Sequence, residues 1–556
     1  MVVLGLALLL QAGSEQPDDA LREARSAQSR FETIRRAHLP REPSSGGQRC
    51  HAVVGRYCYL SDGDEDLDPP AEADATVRAR ADLIAVLDRA IAAHPTNAWL
   101  HGQRTRYLLE AGDASRAIEH ASSCRAERWW CSALEGLALH VAKRYRAADS
   151  VFAIALDSMP PAQRCEWTDL RRLVARPLQR QLERATCEGR EALATRLWTL
   201  AQPMWMTPGN DLRTEHFARH TMADIQTSSA IAHGMRFSND SRELMVRYGW
   251  SEWFTRSDRP QGLSSVPAIP VTGHSRDPSF AFFPGVESLA ELPRLSASSW
   301  DFRDSLARAR YAPRHLRGAV DLDHQLARVL RGDSMVIAVA YHVTDARLAK
   351  DFLSAHVIAL HDGQLRAGTS AEVASDRARG ILRISVPTDT VIASLEVWGD
   401  STERMARARY TVDPIVCGRL CVSDIVLFDG DQRTADMNLD AALTHAIIGD
   451  RHSVRRPLGV YWEAYGAMDS AGAEVSLMVT PARPGRLRRI ATALRLSRAQ
   501  SPIRLRWRTT PQGAIAAESV ILRLPDAARG TYRVVLTIDP VDGRAVTSSR
   551  EIELVP

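Results

Sequence analysis

Residues 97–124, NAWLHGQRTRYLLEAGDASRAIEHASSC, are followed, after four intervening residues, by residues 129–160, WWCSALEGLALHVAKRYRAADSVFAIALDSMP. The two stretches align at a fixed offset. Trp99 and Trp130 are 31 residues apart, and so are Ala117 and Ala148. In each, apolar residues recur at helical spacing, so each reads as two amphipathic helices joined by a turn. Gly112-Asp113 marks the turn inside the first unit. Pro160 closes the second, just as Pro95 closes an earlier helix over 81–93. Such a helix pair cannot bury its apolar face alone, so neighbours must stack and share one core.

The pattern of small residues at helix contacts, a turn after the first helix and a closing proline resembles the tetratricopeptide repeat. That repeat usually spans about 34 residues, so these units are short members, and an irregular helical domain with the same small-residue packing is the alternative. The resemblance covers roughly residues 71–161 within a helical domain over 71–200. It implies a concave groove for a peptide or protein partner, with Trp99, Arg104 and Tyr107 as the groove side chains.

Eight cysteines fall into four close-spaced pairs: Cys50 with Cys58, Cys124 with Cys131, Cys165 with Cys187, and Cys417 with Cys421. Even numbers at short separations are what local disulfides look like in an oxidising compartment, the alternative being buried thiols. No C-x-x-C occurs, so common metal and haem spacings are absent. Residues 2–10 (VVLGLALLL) are too short for a bilayer span, which needs about 20 residues, and suit the apolar core of a secretory signal or an N-terminal anchor over 1–13. An exported protein, periplasmic or extracellular, is therefore expected. No cysteine follows the apolar run until Cys50, so no lipoprotein attachment site is seen, and residues 14–70 read as irregular.

A second resemblance follows the helices. Trp198, Asn210, Glu215, Arg219 and Arg247-Tyr248-Gly249 stand in the order found in the GWxTD domain of bacterial secreted proteins. The signature box is degraded, since Gly234 is followed by Met235, Arg236, Phe237 and Ser238, so the chain looks like a distant relative over a connector at 201–256. The resemblance implies cell-envelope association and no chemistry. Glu215 and Arg219, four apart on a helix, read as an ordinary ion pair worth a few tenths of a kcal/mol.

Composition shifts to Pro, Ser and Gly over a linker at 257–319. Beyond residue 320 the period becomes two, with candidate strands such as 335–342, 391–398, 474–479 and 532–538. Residues 503–508 (IRLRWR) alternate strictly, giving one apolar and one cationic face. Short strands between turn signals predict two β-sandwiches, immunoglobulin-like, over 320–430 and 458–556, with a linker at 431–457. The fold class is thus α+β multidomain, helical repeats followed by sandwiches.

No constellation carries catalysis. His216 and His220 are one helical turn apart, but Phe217 stands where a zinc protease needs Glu, and no third ligand is evident. They read as helix-surface residues. Gly273-His274-Ser275-Arg276-Asp277 lacks the last glycine of a nucleophile elbow. Asp62, Asp64, Asp66 and Asp68 lack the Gly and Glu of a calcium loop, with Leu67 and Ala73 there instead. Trp129-Trp130 reads as core. No catalytic residue, metal or cofactor is assigned. A net charge of +4 over 556 residues gives no footprint for nucleic acid. The expectation is an exported interaction or scaffold protein; an envelope-polymer hydrolase and a carbohydrate-binding or adhesion protein are the alternatives.

Overall fold

The computed structural model describes residues 16–42, 52–55, 57–59, 69–257, 271–274, 279–280, 283–290, 294–300, 308–312, 319–373, 378–432, 437–466, 472–482, 502–509, 514–526, 528–541 and 543–556. Helices come first and sheets follow, so the chain is α+β. It divides into two units. The first comprises Met1–Pro203, Thr207–Ala290 and Trp300–Arg317; the second comprises Met204–Met206, Glu291–Ser299 and Gly318–Pro556.

The first unit holds α1 (Gln16–Ala37), β1 (Arg41–Glu42), β2 (Ala52–Val54), β3 (Tyr57–Tyr59), α2 (Asp74–Ala93), α3 (Ala98–Glu110), α4 (Ala114–Ser122), α5 (Arg128–Val141), α6 (Tyr145–Ser158), α7 (Pro161–Trp167), α8 (Arg176–Arg184), α9 (Cys187–Ala201), α10 (Asp211–Thr227), α11 (Asn239–Tyr248), β4 (Trp253–Ser257), β5 (Val271–His274), β6 (Ser279–Phe280) and β7 (Arg310–Ala312). Local chemistry fixes the helix starts. Asn97 accepts from the Leu100 N–H, Asp113 from Arg116 and Asn210 from Arg213, each satisfying an orphan donor of a first turn.

The internal repeat is visible in the backbone. In the α3–α4 turn, Gly112 N–H donates to Leu109 O (2.9 Å) and Asp113 N–H to Leu108 O (2.9 Å). In the α5–α6 turn, Lys143 N–H donates to His140 O (2.8 Å) and Arg144 N–H to Leu139 O (2.9 Å). Every residue is displaced by 31. Gly112 has φ +77° and Lys143 φ +59°, so the second turn holds a lysine in the left-handed region that glycine occupies in the first. Ala117 and Ala148 are both fully buried, as small contact residues should be.

Three cysteine pairs lie at bonding distance. Cys124 and Cys131 (Cα–Cα 5.6 Å) staple the link between the two helix pairs. Cys165 and Cys187 (5.7 Å) tie α7 to the start of α9, and Cys417 and Cys421 (4.9 Å) close a loop in the second unit. Cys50, the partner expected for Cys58, lies outside the described residues. So does the apolar run at 2–10. Among the described residues no helix is long and apolar enough to cross a membrane.

Two expectations are corrected in this unit. Residues 14–70 are not irregular throughout, because α1 is a 22-residue helix. Its Ala24 and Phe31 pack with Leu83 and Leu87 of α2 and with Tyr107 of α3. The stretch 201–256 is more than a connector, because Phe217, Met222 and Ile225 of α10 complete the core of α5 and α6. Parts of the 257–319 linker also enter the core: Trp300 Nε1 donates to Leu200 O (2.8 Å), and Tyr311 is buried.

The second unit holds β8 (Val320–Asp321), β9 (Asp323–Arg331), β10 (Ser334–His342), β11 (Leu353–His361), β12 (Gln364–Val373), β13 (Arg379–Pro387), β14 (Val391–Gly399), β15 (Arg404–Val412), β16 (Leu420–Val422), β17 (Val426–Asp429), α12 (Leu439–Thr444), β18 (Arg451–Ser453), β19 (Leu458–Gly466), β20 (Ala473–Pro481), β21 (Ile503–Thr509), β22 (Ile515–Leu522), β23 (Gly530–Pro540) and β24 (Val546–Val555). Among the described residues four sheets form, ordered β12-β11-β14-β15-β8; β13-β10-β9; β16 and β17 on β19 with β22 on its other side; and β18-β24-β23-β20-β21.

These sheets stack through three successive cores. Met335, Ile337 and Val339 of β10 face Val357 of β11 and Leu395 of β14 in the first. Ala338 and Ala340 of β10 face Phe428 of β17 and Tyr461 of β19, with α12, in the second. Val460 and Trp462 of β19 face Leu477 of β20 and Leu536 of β23 in the third. Both faces of β10 and β19 are therefore buried, which explains why 335–341 and 458–464 read as nearly unbroken apolar runs. The division into separate sandwiches at 320–430 and 458–556 is revised accordingly. β16 and β17 pair with β19, and residues 439–444 of the supposed linker form α12 and fill the second core.

Candidate functional site

A cleft of about 290 Å³ opens on the helical unit, lined by Asp88 and Ile91 of α2, Arg104 of α3, and Arg116, Glu119, His120 and Ser123 at α4. The side chain of Arg104 is mostly buried and pairs with Asp88. Beneath it lies a histidine pair. His101 Nε2 donates to Pro95 O (2.8 Å), so its Nδ1 is an acceptor, and His120 Nε2 donates to that Nδ1 (3.2 Å). Nδ1 is then the remaining acceptor of His120. Burial, with Arg104 and His101 nearby, pushes the His120 pKa down to about 3, so the pair is neutral near pH 7. The cleft thus offers two guanidiniums, two carboxylates, a hydroxyl and a neutral imidazole. That set suits hydrogen-bonded recognition of a polar chain.

Of the three expected groove residues, only Arg104 lines this cleft. Trp99 is half-buried, its Nε1 donating to Ser229 Oγ (3.1 Å). Tyr107 is fully buried and its hydroxyl donates to Glu32 Oε1 (2.8 Å), so it is a core residue and not a groove side chain.

A second polar assembly is built around α10. Glu215 Oε2 accepts from His140 Nε2 (2.6 Å) and Oε1 from Arg219 Nε (2.5 Å). Arg219, 1% exposed, lies 4.1 Å from the Tyr311 ring centroid and donates to Val246 O (3.3 Å). Burial opposes ionisation of Glu215, but Arg219 and His140 outweigh it and hold its pKa at about 2. Glu215–Arg219 is therefore no ordinary surface ion pair. Asp211, at the start of α10, is pushed up to about 6 by burial. Residues of the second resemblance meet here: Asn210 Nδ2 donates to Trp198 O (2.8 Å), and a Cβ on Gly249 would sit 3.5 Å from Arg219. His140 and Tyr311 were invisible in sequence, because nothing local marks residues that join a network from four separate segments.

His216 and His220 are not on a helix surface. His216 is fully buried; its Nε2 donates to Trp167 O (2.7 Å), and its Nδ1 lies 2.9 Å from the Tyr311 hydroxyl, which itself donates to Val246 O. His220 is 4% exposed, and neither ring nitrogen has a protein partner among the described residues. Its ring packs on Trp167 and His216. Burial, with His216, Arg242 and Arg172, holds its pKa well below the usual value, so the folded protein keeps it neutral. The unfolded chain binds a proton there below about pH 6.5, so this group removes roughly 1.4 kcal/mol of stability per pH unit as pH falls below that point. His220→Leu is expected to raise stability by about 1 kcal/mol at pH 7 and to flatten the loss between pH 7 and 5. Denaturant midpoints at the two pH values check this; an unchanged slope would refute it.

Among the described residues no group of three His, Cys, Asp or Glu is placed to hold a metal ion. The acidic run Asp62 to Asp68 lies outside the described residues, as do Ser275, Arg276 and Asp277. His274 is buried and its Nε2 bonds Thr255 Oγ1 (2.7 Å). Trp130 is core, its Nε1 donating to Ala98 O (2.8 Å). No family model matches this chain, and no curated protein matches it.

Proposed function

We propose that this chain is an exported interaction or scaffold protein of the bacterial cell envelope, binding a peptide or protein partner in the α2–α4 cleft. The observation that carries the reading is the cleft itself: polar, and lined by α2 together with α3 and α4, the first of two helix pairs offset by 31 residues. In this reading the pairs are tetratricopeptide-like repeats, and the outer sheet pairs are immunoglobulin-like sandwiches acting as spacers. Three cysteine pairs at bonding distance favour an oxidising compartment. The meeting of Trp198, Asn210, Glu215, Arg219 and Gly249 around α10 favours distant kinship with the GWxTD domain.

Arginine is the residue of choice for planar recognition of carboxylates, so Arg104 and Arg116 are the expected anchors for an acidic side chain or chain terminus. A photo-crosslinking residue at Ser123 in the full-length protein, expressed in its own envelope, should capture one reproducible partner. Arg104→Gln with Arg116→Gln should lower that crosslink by about tenfold or more, equivalent to about 1.4 kcal/mol. Equal crosslinking by the double variant would sink the cleft as the binding site.

A further inference from the structure

The cationic face of 503–508 plays no part in the helical cleft. β21 is the outer strand of the sheet ordered β18-β24-β23-β20-β21, with β20 on one side and, among the described residues, no strand on the other. Ile503 and Trp507 pack against the third core. Arg504, Arg506 and Arg508 point the opposite way and are all exposed. In register they oppose Met478, Ser476 and Glu474 of β20. At strand geometry, successive guanidiniums rise from backbone points about 6.7 Å apart. Arg506 lies 3.6 Å from Glu474, both half-exposed. Among the described residues neither Arg504 nor Arg508 has an ion-pair partner.

In a chain whose total balance is only +4, three arginines on one exposed strand face, with Arg506 beside Glu474, make a local positive field.

The pattern on the rest of this face selects among polyanions. The row of arginines is one strand wide, since Arg533 of β23 on the same face is paired with Glu551. Beyond it Glu474 faces Asp539 of β23, both exposed, and Ser476 faces Thr537. A broad anionic plane such as a bilayer would press those carboxylates against its own charge. A linear polyanion laid along β21 would not. Aromatic side chains belong to the other face: Trp507 and Tyr532 pack into the core, so bases would find no stacking platform. The arginine row is instead what a uronate carboxylate requires, and the hydroxyls of Ser476 and Thr537 beside it are partners for sugar hydroxyls.

We infer that the outer edge of this sheet, through Arg504, Arg506 and Arg508, is a docking strip for an acidic polysaccharide. The strip acts independently of the helical cleft. The test uses full-length protein in affinity electrophoresis through polygalacturonate, with dextran as the neutral control, over a salt series. Polygalacturonate should retard the protein, and salt should relieve the retardation. Arg504→Gln/Arg506→Gln/Arg508→Gln, which touches no core residue, should weaken binding by about tenfold or more, with a shallower salt dependence. Crosslinking at Ser123 should be unaffected. Three results would each overturn the inference: no retardation of the wild type, equal retardation of the triple variant, or equally tight arginine-dependent binding to single-stranded DNA or to phosphatidylglycerol vesicles.

Discussion

Replacing Glu396 with alanine is expected to cost the sheet unit about 3–5 kcal/mol. Glu396 stands on β14 on the face opposite the first core, and both it and Arg409 of β15 have fully buried side chains. Its carboxylate accepts from Arg409 Nη2 (2.9 Å) and Ser394 Oγ (2.6 Å). It also accepts from the backbone N–H groups of Trp205 (3.0 Å) and Met206 (2.8 Å). The Arg409 guanidinium lies 3.8 Å from the Trp205 ring centroid. Arg407, directly opposite Glu396 in register, is buried as well. Burial pushes the Arg409 pKa down to about 10, and Glu396 is the charge that opposes that fall.

Deleting the carboxylate takes a counter-charge away from two buried guanidiniums and an acceptor from several donors, and that penalty sets the size of the effect. The pair need not be net stabilising over an apolar equivalent. Glu396→Leu with Arg409→Met should therefore lose less than the two single losses summed. Chemical denaturation followed by β-sheet circular dichroism checks both statements. A single-variant loss under about 1 kcal/mol, or strict additivity, would contradict the account.

Periodicity exposed some of this architecture and hid the rest for identifiable reasons. The α3–α4 and α5–α6 pairs were legible because Trp99/Trp130 and Ala117/Ala148 keep one offset, and three of the four cysteine pairs were legible from spacing alone. The strands of β20, β21 and β23 alternate because one face meets water. β10 and β19 are apolar on both faces, so their runs say only that they are buried. Nothing in such a run shows that the second core joins the two sheet pairs. α1 was missed because its QPDDALREARSAQSRFETIRRA pattern is mostly polar. The apolar contacts of Ala24 and Phe31 are few, and its interior face is finished with Gln28, Glu32 and Arg35. Of the expected groove residues, Arg104 lines the cleft and Tyr107 lies in the core. A tyrosine on an amphipathic helix looks the same in sequence whether its hydroxyl meets solvent or a buried carboxylate.

That buried carboxylate carries the second large effect. Arg106→Met is expected to destabilise the helical unit by about 3–5 kcal/mol, because it removes the centre of an ion network between α1 and α3. Arg106 Nη2 donates to Glu32 Oε1 (2.8 Å) and its Nε to Glu110 Oε1 (2.7 Å). Arg35 bonds Glu110 and lies 3.6 Å from Glu32. Glu32 is fully buried and also accepts from Tyr107, whose hydroxyl in turn accepts from Gln28 Nε2 (2.8 Å). With Arg106 gone, the ion pair left to Glu32 among the described residues is that with Arg35.

The pH dependence separates this cause from simple loss of packing. Burial opposes ionisation of Glu110, yet Arg35, Arg106 and Arg80 outweigh it and hold its pKa at about 2, below the ordinary 4.5. A depressed carboxylate contributes stability that is complete above about pH 4.5 and is lost as pH falls toward 2. Without Arg106 the folded pKa of Glu110 rises, so that contribution shrinks and acid unfolding begins at higher pH. Acid titration followed by helical circular dichroism should show the Arg106→Met transition displaced upward by about half a pH unit or more. Tyr107→Phe removes a hydrogen bond to Glu32 and no charge, so its acid transition should move less than that of Arg106→Met. If the two variants shift alike, the helix pair is held by packing, and the ionic account of how α1 joins the repeats is wrong.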